Sequence, residues 1–581
     1  MHIRKIFIPT MCLIAFKTYM TMNKPVIFYA LSFFIGCVSA LTFNNSLIVG
    51  AVIAASFLSI VHFTNKPIFT LFTAAFLLCG IFSFNIYFNF YSKHIDKIRV
   101  VEIKDYYIMG NYRGRNILLK GNTEGLEEGQ KIKVQGKFQE DIIYENGIIG
   151  NYNIEQYEDV KKDFIYRCYY LKRRIKNQLC KYLDDDKVAL IMSLCFGDTS
   201  MLSREDKNKL GRLGVIHAVS VSGFHLTIIY KVIECIAGLK LALLFSLFYV
   251  IFTGLKYSAI RALIMIVILK LSKILYKNYD GLSSLSTAFI IILAFKPYSF
   301  LEAGFMLSFL STLGIMLYNT RIKKALYLLP NKLNESLSIT LSSQIFSLPY
   351  ISFTLGNFSL GFILGNLFLI PLYGAIVVIG NLSLLFINFQ TIFKFINILL
   401  YNLCVGVEGG NYILLKFCPP MSYLGAREGL CLIIIYFSYV MLIHGKDKFK
   451  YLPIMAVSTL FLSYYTIFPE VHFVNYPGVN TAIIKYSRQC IMLCNYDLEN
   501  GKEVINIKET YNPNRIITNK SDNFKVKINN STIELLNKGS EINGISIKNR
   551  KDKLLYYDII NRWENEHISY KIILGKVCKW R

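Results

Sequence analysis

Apolar runs of about 17–25 residues, the length a helix needs to cross a hydrocarbon layer, recur along this chain in two blocks. The first block holds 25–43, 47–63 and 68–90. The second runs from 214 to 468 and divides into 215–236, 238–254, 257–276, 282–296, 301–318, 337–355, 358–388, 395–416, 430–444 and 451–468. The pattern predicts a polytopic α-helical membrane protein of about 12–13 spans. A length of 581 residues would also suit several soluble domains. Composition argues against that: 54% of residues are hydrophobic and only 18% charged, whereas a soluble surface takes roughly a quarter.

The charge needs its own account, because so apolar a chain carries +26. Part of it sets topology. Basic clusters stand at Arg4/Lys5/Lys17/Lys24, Lys270/Lys273/Lys277, Arg321/Lys323/Lys324 and Lys446/Lys448/Lys450. Placing all four in the cytoplasm fits the spans without a forced crossing, and puts the polar regions 95–162 and 470–581 on the outer face. The first 24 residues are basic and then apolar with no small-residue cleavage site, which predicts an uncleaved first span rather than a secretory signal. The remaining positive charge lies in the outer regions and in 164–183. There Phe164, Cys168, Leu171, Ile175, Leu179 and Tyr182 recur at helical spacing, with Arg167, Lys172, Arg173, Arg174 and Lys176 largely off the stripe. This basic amphipathic helix suits a membrane surface or a positive collar at a pore mouth.

Residues 95–162 alternate short apolar and polar runs. Strands are expected at 106–109, 116–120, 131–138 and 141–144, divided by Gly110-Asn111, Gly121-Asn122, Gly129 and Asn146-Gly147. About five short strands in such a length suit a small OB-like β-barrel. Four domains follow: membrane spans 1–94, the extracytoplasmic OB-like domain 95–162, an amphipathic helix with a membrane core 163–469, and a β-rich tail 470–581. The 13 cysteines are scattered and form no CxxC pair. Cys490 and Cys494 would sit about 13 Å apart along a strand, too far to bond.

The densest chemistry lies at 195–230. Gly197-Asp198 is followed by Gly214, His217, Ser220, Ser222, Gly223 and His225 in an apolar segment, where polar groups must face protein or water. A Ser–His hydrolase is one reading, though no carboxylate stands at triad spacing. Helix packing through small residues and the lining of a polar conduit are the others.

At this run the chain resembles the ComEC family of bacterial competence membrane proteins. Ser222-Gly223-Phe224-His225 resembles the family's Ser-Gly-x-His motif. Ser258-Ala259-Ile260-Arg261-Ala262 resembles its next signature, with an arginine at the start of a membrane helix. Pro297 with Gly304-Phe305-Met306-Leu307-Ser308-Phe309 resembles a third element, and Pro349, Asn357, Gly365-Asn366 and Ile370-Pro371-Leu372 resemble a later broken helix. The resemblance covers 25–470 and implies an inner-membrane channel for single-stranded transforming DNA. Asp198, His217, Ser222, Gly223, His225, Arg261, Ser308, Asn357, Asn366 and Pro371 are its channel candidates. Lys104, Arg113, Arg115, Lys120, Tyr106, Tyr107 and Tyr112 are candidate outer-domain contacts. Membrane lipid, an outer DNA receptor and a cytoplasmic ATPase or helicase are the implied partners, and no cofactor is implied.

Each element also has a reading of its own. Arg261, always charged, either snorkels to the interface or faces a polyanion. Asn357, Gly361, Gly365, Asn366, Pro371 and Gly374 interrupt an apolar run, which suits a conduit or a small-solute transporter, while Gly361/Gly365 equally suits helix packing. Glu302 and Glu408 are expected at the interface.

The tail departs from the family, many of whose members end in a metallo-β-lactamase-like domain with a dense His/Asp cluster. The opening strand at 471–484 resembles that domain, but Asn475 and Asn480 stand where aspartates are expected. His567 is the only histidine after His472. Two isolated histidines cannot hold two divalent ions, so the tail reads as a degenerate or truncated remnant with no metal site and no nuclease. A surface place is expected for His472. The chain also lacks a GxxxxGK[ST] phosphate loop, so force for transport must come from another subunit or the cytoplasmic side.

Overall fold

A computed structural model describes residues 24–89, 95–104, 107–160, 162–219, 221–419, 421–476, 479–487 and 489–494. In the tail it describes 511, 513 and the strand segments between 515 and 579. Tyr106, Arg4, Lys5, Lys17 and Ser220 lie outside the described residues. The chain forms two compact units, one from residues up to 347 with 359–421, the other from 348–358 with 422 onward. Among the described residues, eight helices are long and apolar enough to cross a membrane.

The first unit opens with α1 (Pro25–Phe43), α2 (Leu47–Thr64) and α3 (Pro67–Phe88). Glycine sets how α1 and α3 meet. A Cβ at Gly36 would stand 2.1 Å from the Leu77 carbonyl oxygen, and one at Gly80 2.2 Å from that of Phe33. Backbone thus touches backbone, the close approach that small residues permit where lipid supplies no hydrophobic drive. The outward side chains Leu47, Ile48, Phe63, Ile68 and Leu71 are exposed and apolar, a surface suited to lipid.

Next comes a closed five-stranded barrel: β1 (Lys97–Lys104), β2 (Tyr107–Tyr112), β3 (Arg115–Gly121), β4 (Lys131–Ile143) and β5 (Ile148–Asp159), in the order β1-β2-β3-β5-β4. Alternate residues Ile98 and Val100, Ile117 and Leu119, and Ile132 and Val134 fill its interior. Two expectations need correction. The turn falls at Arg113-Gly114, where φ is 48° and 87°, not at Gly110-Asn111. Gly110 lies inside β2 because a Cβ there would meet Ile98 at 2.5 Å. The strands expected at 131–138 and 141–144 are one strand, bent where its register with β5 shifts between Glu140 and Ile143.

The barrel is bonded directly to the helices. Tyr87 donates its hydroxyl to the Gly147 carbonyl at 2.9 Å, Asn44 donates to the Tyr144 hydroxyl at 2.9 Å, and Asn116 donates to the Tyr298 hydroxyl at 3.1 Å. Helix α4 (Phe164–Leu179) follows, capped by Asp163, which accepts from the Tyr166 N–H at 3.1 Å. Its basic face turns partly toward the barrel: Arg173 donates to Glu127 at 2.7 Å and to the Glu128 carbonyl at 3.2 Å.

After α5 (Asp185–Phe196), α6 (Arg204–Arg212) and the short α7 (Ile216–Val219) comes α8 (Gly223–Phe252). Its 30 residues would reach about 45 Å if straight. They do not, because a Cβ at Gly197 would stand 3.2 Å from both the Thr253 carbonyl oxygen and Val221 Cγ2, so both ends of α8 lie beside one residue. The reversal is at Gly238, whose φ of 78° suits glycine. It divides α8 into two arms, matching the boundary expected between 236 and 238.

Helices α9 (Tyr257–Ile274), α10 (Gly281–Phe295) and α11 (Ala303–Ala325), with a 3-10 turn at Pro297–Leu301, complete this part of the bundle. Lys24 pairs with Asp280 at 2.6 Å, and Lys270 pairs with Glu234 across α8 and α9. Helix α12 (Asn331–Thr354) passes from the first unit into the second. The first unit ends with α13 (Phe362–Leu385) and α14 (Gln390–Phe417). The helix expected to break through Gly361–Gly374 is continuous from 362, with exposed Pro371 inside it; the interruption lies before it, at 355–361. Gly361 and Gly365 serve packing, since Cβ atoms there would stand 2.4 and 2.2 Å from the Arg212 and Leu213 carbonyl oxygens.

In the second unit β6 (Asn357–Phe358) pairs with β7 (Ser422–Tyr423), and α15 (Ala426–Ile443) and α16 (Leu452–Tyr464) follow. The tail forms a six-stranded sheet that includes β8 (Thr466–Tyr476), β9 (Val479–Ser487), β10 (Gln489–Cys494) and β16 (His567–Ile573), plus a separate four-stranded sheet. Cys490 is free.

Candidate functional site

Three stretches distant in sequence meet at the end of the helical bundle that carries the barrel. The first arm of α8 begins at Ser222-Gly223. The Ser258 hydroxyl at the start of α9 donates to the Val221 carbonyl at 2.7 Å, drawing the two helix starts together. Gly223 leaves room for the arginine of α9: a Cβ there would stand 3.0 Å from an Arg261 guanidinium nitrogen and 3.1 Å from Ala262 Cβ. The guanidinium carbon lies 5.9 Å from the Phe309 ring of α11. Phe309 itself meets Phe289 edge to face, with ring centroids 5.1 Å apart, and lies tilted against Phe305 at 4.7 Å. So the Ser-Gly-x-His segment, the arginine segment and the Gly-Phe-x-Leu-Ser-Phe segment form one site.

The polar groups of this site are not all satisfied. His225 is fully buried; its Nδ1 accepts weakly from the Ser222 backbone N–H at 3.4 Å. Its Nε2, the Arg261 Nε and the Ser308 Oγ are buried without a hydrogen-bond partner among the described residues. Buried donors and acceptors are costly to leave unpaired, and an ionisable side chain within a membrane bundle marks a pathway or binding site by default. Arg261 does not snorkel away, since it is held against Gly223 and Phe309.

The other candidates fall around this centre or apart from it. His217 is exposed while Val215, Ala218, Val219 and Val221 around it are buried, and its Nδ1 lies 3.1 Å from the Gly214 carbonyl. Asn366 and Pro371 lie on α13, where Gly374 faces Ile228 and Phe224 of the first α8 arm. The Asn366 Oδ1 is also buried without a partner among the described residues. Asn357 belongs to the second unit and pairs in its small ladder with Tyr423. Asp198 follows the Gly197 turn and accepts from the Ser200 N–H at 3.0 Å. On the barrel, Lys104, Arg113 and Lys120 are exposed, while Tyr107 donates to Glu102 at 3.1 Å. Arg115 donates to the Tyr87 and Ile86 carbonyls at 2.8 and 2.7 Å, closing the last turn of α3, and Tyr112 is buried.

Several residues at this end escaped sequence reading. Lys256 caps α9, Lys296 precedes the 3-10 turn, and Tyr257 donates to Glu302 at 2.7 Å, fixing Glu302 at the start of α11. The signal was their place at the ends of apolar runs, which reads first as interface anchoring. Glu408, expected at an interface, lies 3.5 Å from Lys187 of α5.

In the tail, His472 has definite neighbours. Its Nδ1 lies 2.8 Å from the Ser569 hydroxyl, its Nε2 lies 3.4 Å from Glu470, and Glu470 pairs with Lys571 at 2.8 Å. The expected surface place is therefore corrected to a half-buried one. His472 faces Ser569 and Glu470 faces Lys571 directly across β8 and β16, so these are cross-strand pairs. Among the described residues no three metal-ligating side chains converge.

Residues 194–445 match the family described as Competence protein. The chain is also similar to the ComE operon protein 3 of Bacillus subtilis (strain 168), 26% identical over 273 residues, or 45% of this chain and 35% of that protein. The chain thus matches about a third of that relative's length. No solved structure matches. The family match spans the segments that meet around Arg261, and over those residues this chain is similar to the Competence protein family.

Proposed function

We propose that this chain is a channel in the inner membrane that carries single-stranded transforming DNA into the cell. The observation that carries the reading is the Arg261 site, where a guanidinium whose buried Nε has no partner among the described residues is held against Gly223 and Phe309 inside an apolar bundle, at the end that holds the barrel. A strand with one charge per nucleotide cannot cross lipid unshielded, and buried uncommitted donors suit its phosphates. The crossings number about 12–13 once both arms of α8 and the shorter helices are counted. The barrel 97–159 acts as an OB-like module on the outer face, its strand order and parallel β3–β5 pair supporting the comparison. Lys104, Arg113 and Lys120 then meet the strand first, and the positive-inside rule places 470–581 on the same face. An outer DNA receptor and a cytoplasmic ATPase or helicase are its partners. The tail serves as a metallo-β-lactamase-like remnant without nuclease chemistry.

Two measurements test this reading. Purified full-length chain in lipid nanodiscs should bind an oligothymidylate with an affinity that falls steeply with salt. A deletion strain should lose transformation and regain it with the wild-type gene but not with Arg261→Ala. Salt-independent binding, or transformation that survives the deletion, would sink the proposal.

A further inference from the structure

Between the barrel and the bundle stand three lysines that the channel motifs do not include: Lys172 on α4, Lys256 before α9, and Lys296 before the 3-10 turn. They come from three separate elements, yet the charge of Lys256 bears on both of the others. None of the three ammonium groups has a hydrogen-bond acceptor or a paired carboxylate among the described residues. Two are held only by ring faces. Lys172 Nζ lies 5.2 Å from the Tyr169 ring and 5.5 Å from the Phe252 ring, and Lys296 Nζ lies 5.4 Å from the Tyr257 ring.

The carboxylates nearby are engaged elsewhere. Glu128 accepts the Ile103 N–H at 3.1 Å, Asp198 accepts the Ser200 N–H, and Glu302 accepts the Tyr257 hydroxyl. An ammonium group carries three donors, so this junction holds donors that no acceptor among the described residues takes up. Its position beside Arg261 follows from the chain, since Lys256 precedes Arg261 by five residues, about 7.5 Å along a helix.

We propose that Lys172, Lys256 and Lys296 form a phosphate-binding collar that grips successive phosphodiesters of a single strand as it leaves the barrel for the Arg261 site. The proposal rests on the conduit reading and names the contact that reading lacks. Anionic lipid headgroups share the phosphate chemistry, but the Lys172 Nζ sits over the Tyr169 and Phe252 rings, where the charges of Glu128 of the barrel and of Asp198 also act on it. Burial pushes the Lys172 amine down to about 8, with Asp198, Lys256, Glu128 and Cys168 as its charged or titratable neighbours and Tyr169 beneath it. Its charge, and its share of the grip, is therefore present at pH 7 and fades as the pH rises through that value.

The test uses the full chain in nanodiscs of zwitterionic lipid, with a labelled oligothymidylate titrated against salt. The triple variant K172Q/K256Q/K296Q should bind at least about tenfold more weakly, with a salt slope lower by about 2, since each single-strand phosphate contact contributes roughly 0.7. The triple Arg variant keeps the charges and should bind as wild type, which separates charge from misfolding. Wild-type affinity should weaken between pH 7 and 9, and Lys172→Arg should remove that part of the dependence. Unchanged affinity and slope in the triple Gln variant, with wild type binding normally, would overturn the collar and leave the conduit standing. So would loss of phosphatidylglycerol binding by the triple Gln variant in parallel nanodiscs doped with that lipid, with strand affinity intact, which would assign the lysines to headgroups. A wild-type chain that binds no strand would take down both.

Discussion

Two histidines among the described residues, half-buried His472 and buried His225, obey opposite rules. Around His472 the cross-strand neighbours supply partners: Ser569 for one ring nitrogen, Glu470 near the other, and Lys571 for Glu470. In the helical bundle the His225 Nε2, like the Arg261 Nε and the Ser308 Oγ of the other two motif segments, is buried without a partner among the described residues. A satisfied cluster is explained by its own sheet. An unsatisfied one is stable only if something else meets it. The contrast separates a histidine whose partners its own sheet supplies from one whose buried Nε2 has none among the described residues, where residue type alone would not.

The sharpest way to break the contrast is to mutate both sites. Arg261→Ala should lower strand binding and transformation by about tenfold to a hundredfold, the loss expected when a charge-assisted contact disappears. His472→Ala should leave transformation near wild type and cost about 1 kcal/mol of stability in the second unit, read by thermal unfolding. Equal defects in the two variants would show that the unpaired atoms carry no special meaning.

A second comparison sets packing against function inside the bundle. Gly36→Leu should destabilise the first three helices by about 2–3 kcal/mol, because a Cβ there would sit 2.1 Å from the Leu77 carbonyl oxygen. Gly409, whose Cβ would meet nothing within 4 Å, should accept alanine with little change in melting temperature. Similar losses at both glycines would remove the packing account.

The smallest expected effect concerns how the barrel is tied to α4. Arg99 beside Asp163 holds that carboxyl down at about 2. A carboxyl depressed in the folded state adds stability above its ordinary pKa of about 3.9, and that share is lost as pH falls toward the folded value. Both side chains are partly exposed, so the gain is modest. Arg99→Gln should lower stability modestly near pH 7 and flatten its fall between pH 5 and 2, so that variant and wild type converge at acid pH. An unaltered acid limb would show that the ion pair contributes nothing to stability.

Much of the fold was legible because lipid imposes a simple rule on sequence. The boundary between 236 and 238 in an unbroken apolar run is set by span length, and Gly238 turns the chain there. The barrel was legible from alternation and glycine turns, but Gly110 misled, since a glycine that makes room inside a barrel looks like one that makes a turn. Pro371 misled in the same way: an apolar helix held by its neighbours carries a proline without breaking. The site was legible in its members and not in its geometry. Lys256 and Lys296 belong to no motif and escaped the sequence reading, and Arg115, expected as a nucleic-acid contact, donates to the carbonyls of α3.

Sequence alone determined that this chain crosses a membrane repeatedly, carries a small β-domain between two helical blocks, and bears the competence motifs in order. Those properties are local, set by span length, period and residue type. Tertiary structure alone decided that the three motifs surround Arg261, that Gly223 makes the space for it, and that both ring nitrogens of His472 have neighbours while the His225 Nε2 is buried without a partner among the described residues. Whether a buried polar atom finds a partner depends on residues tens to hundreds of positions away, which only the folded chain brings within hydrogen-bond reach.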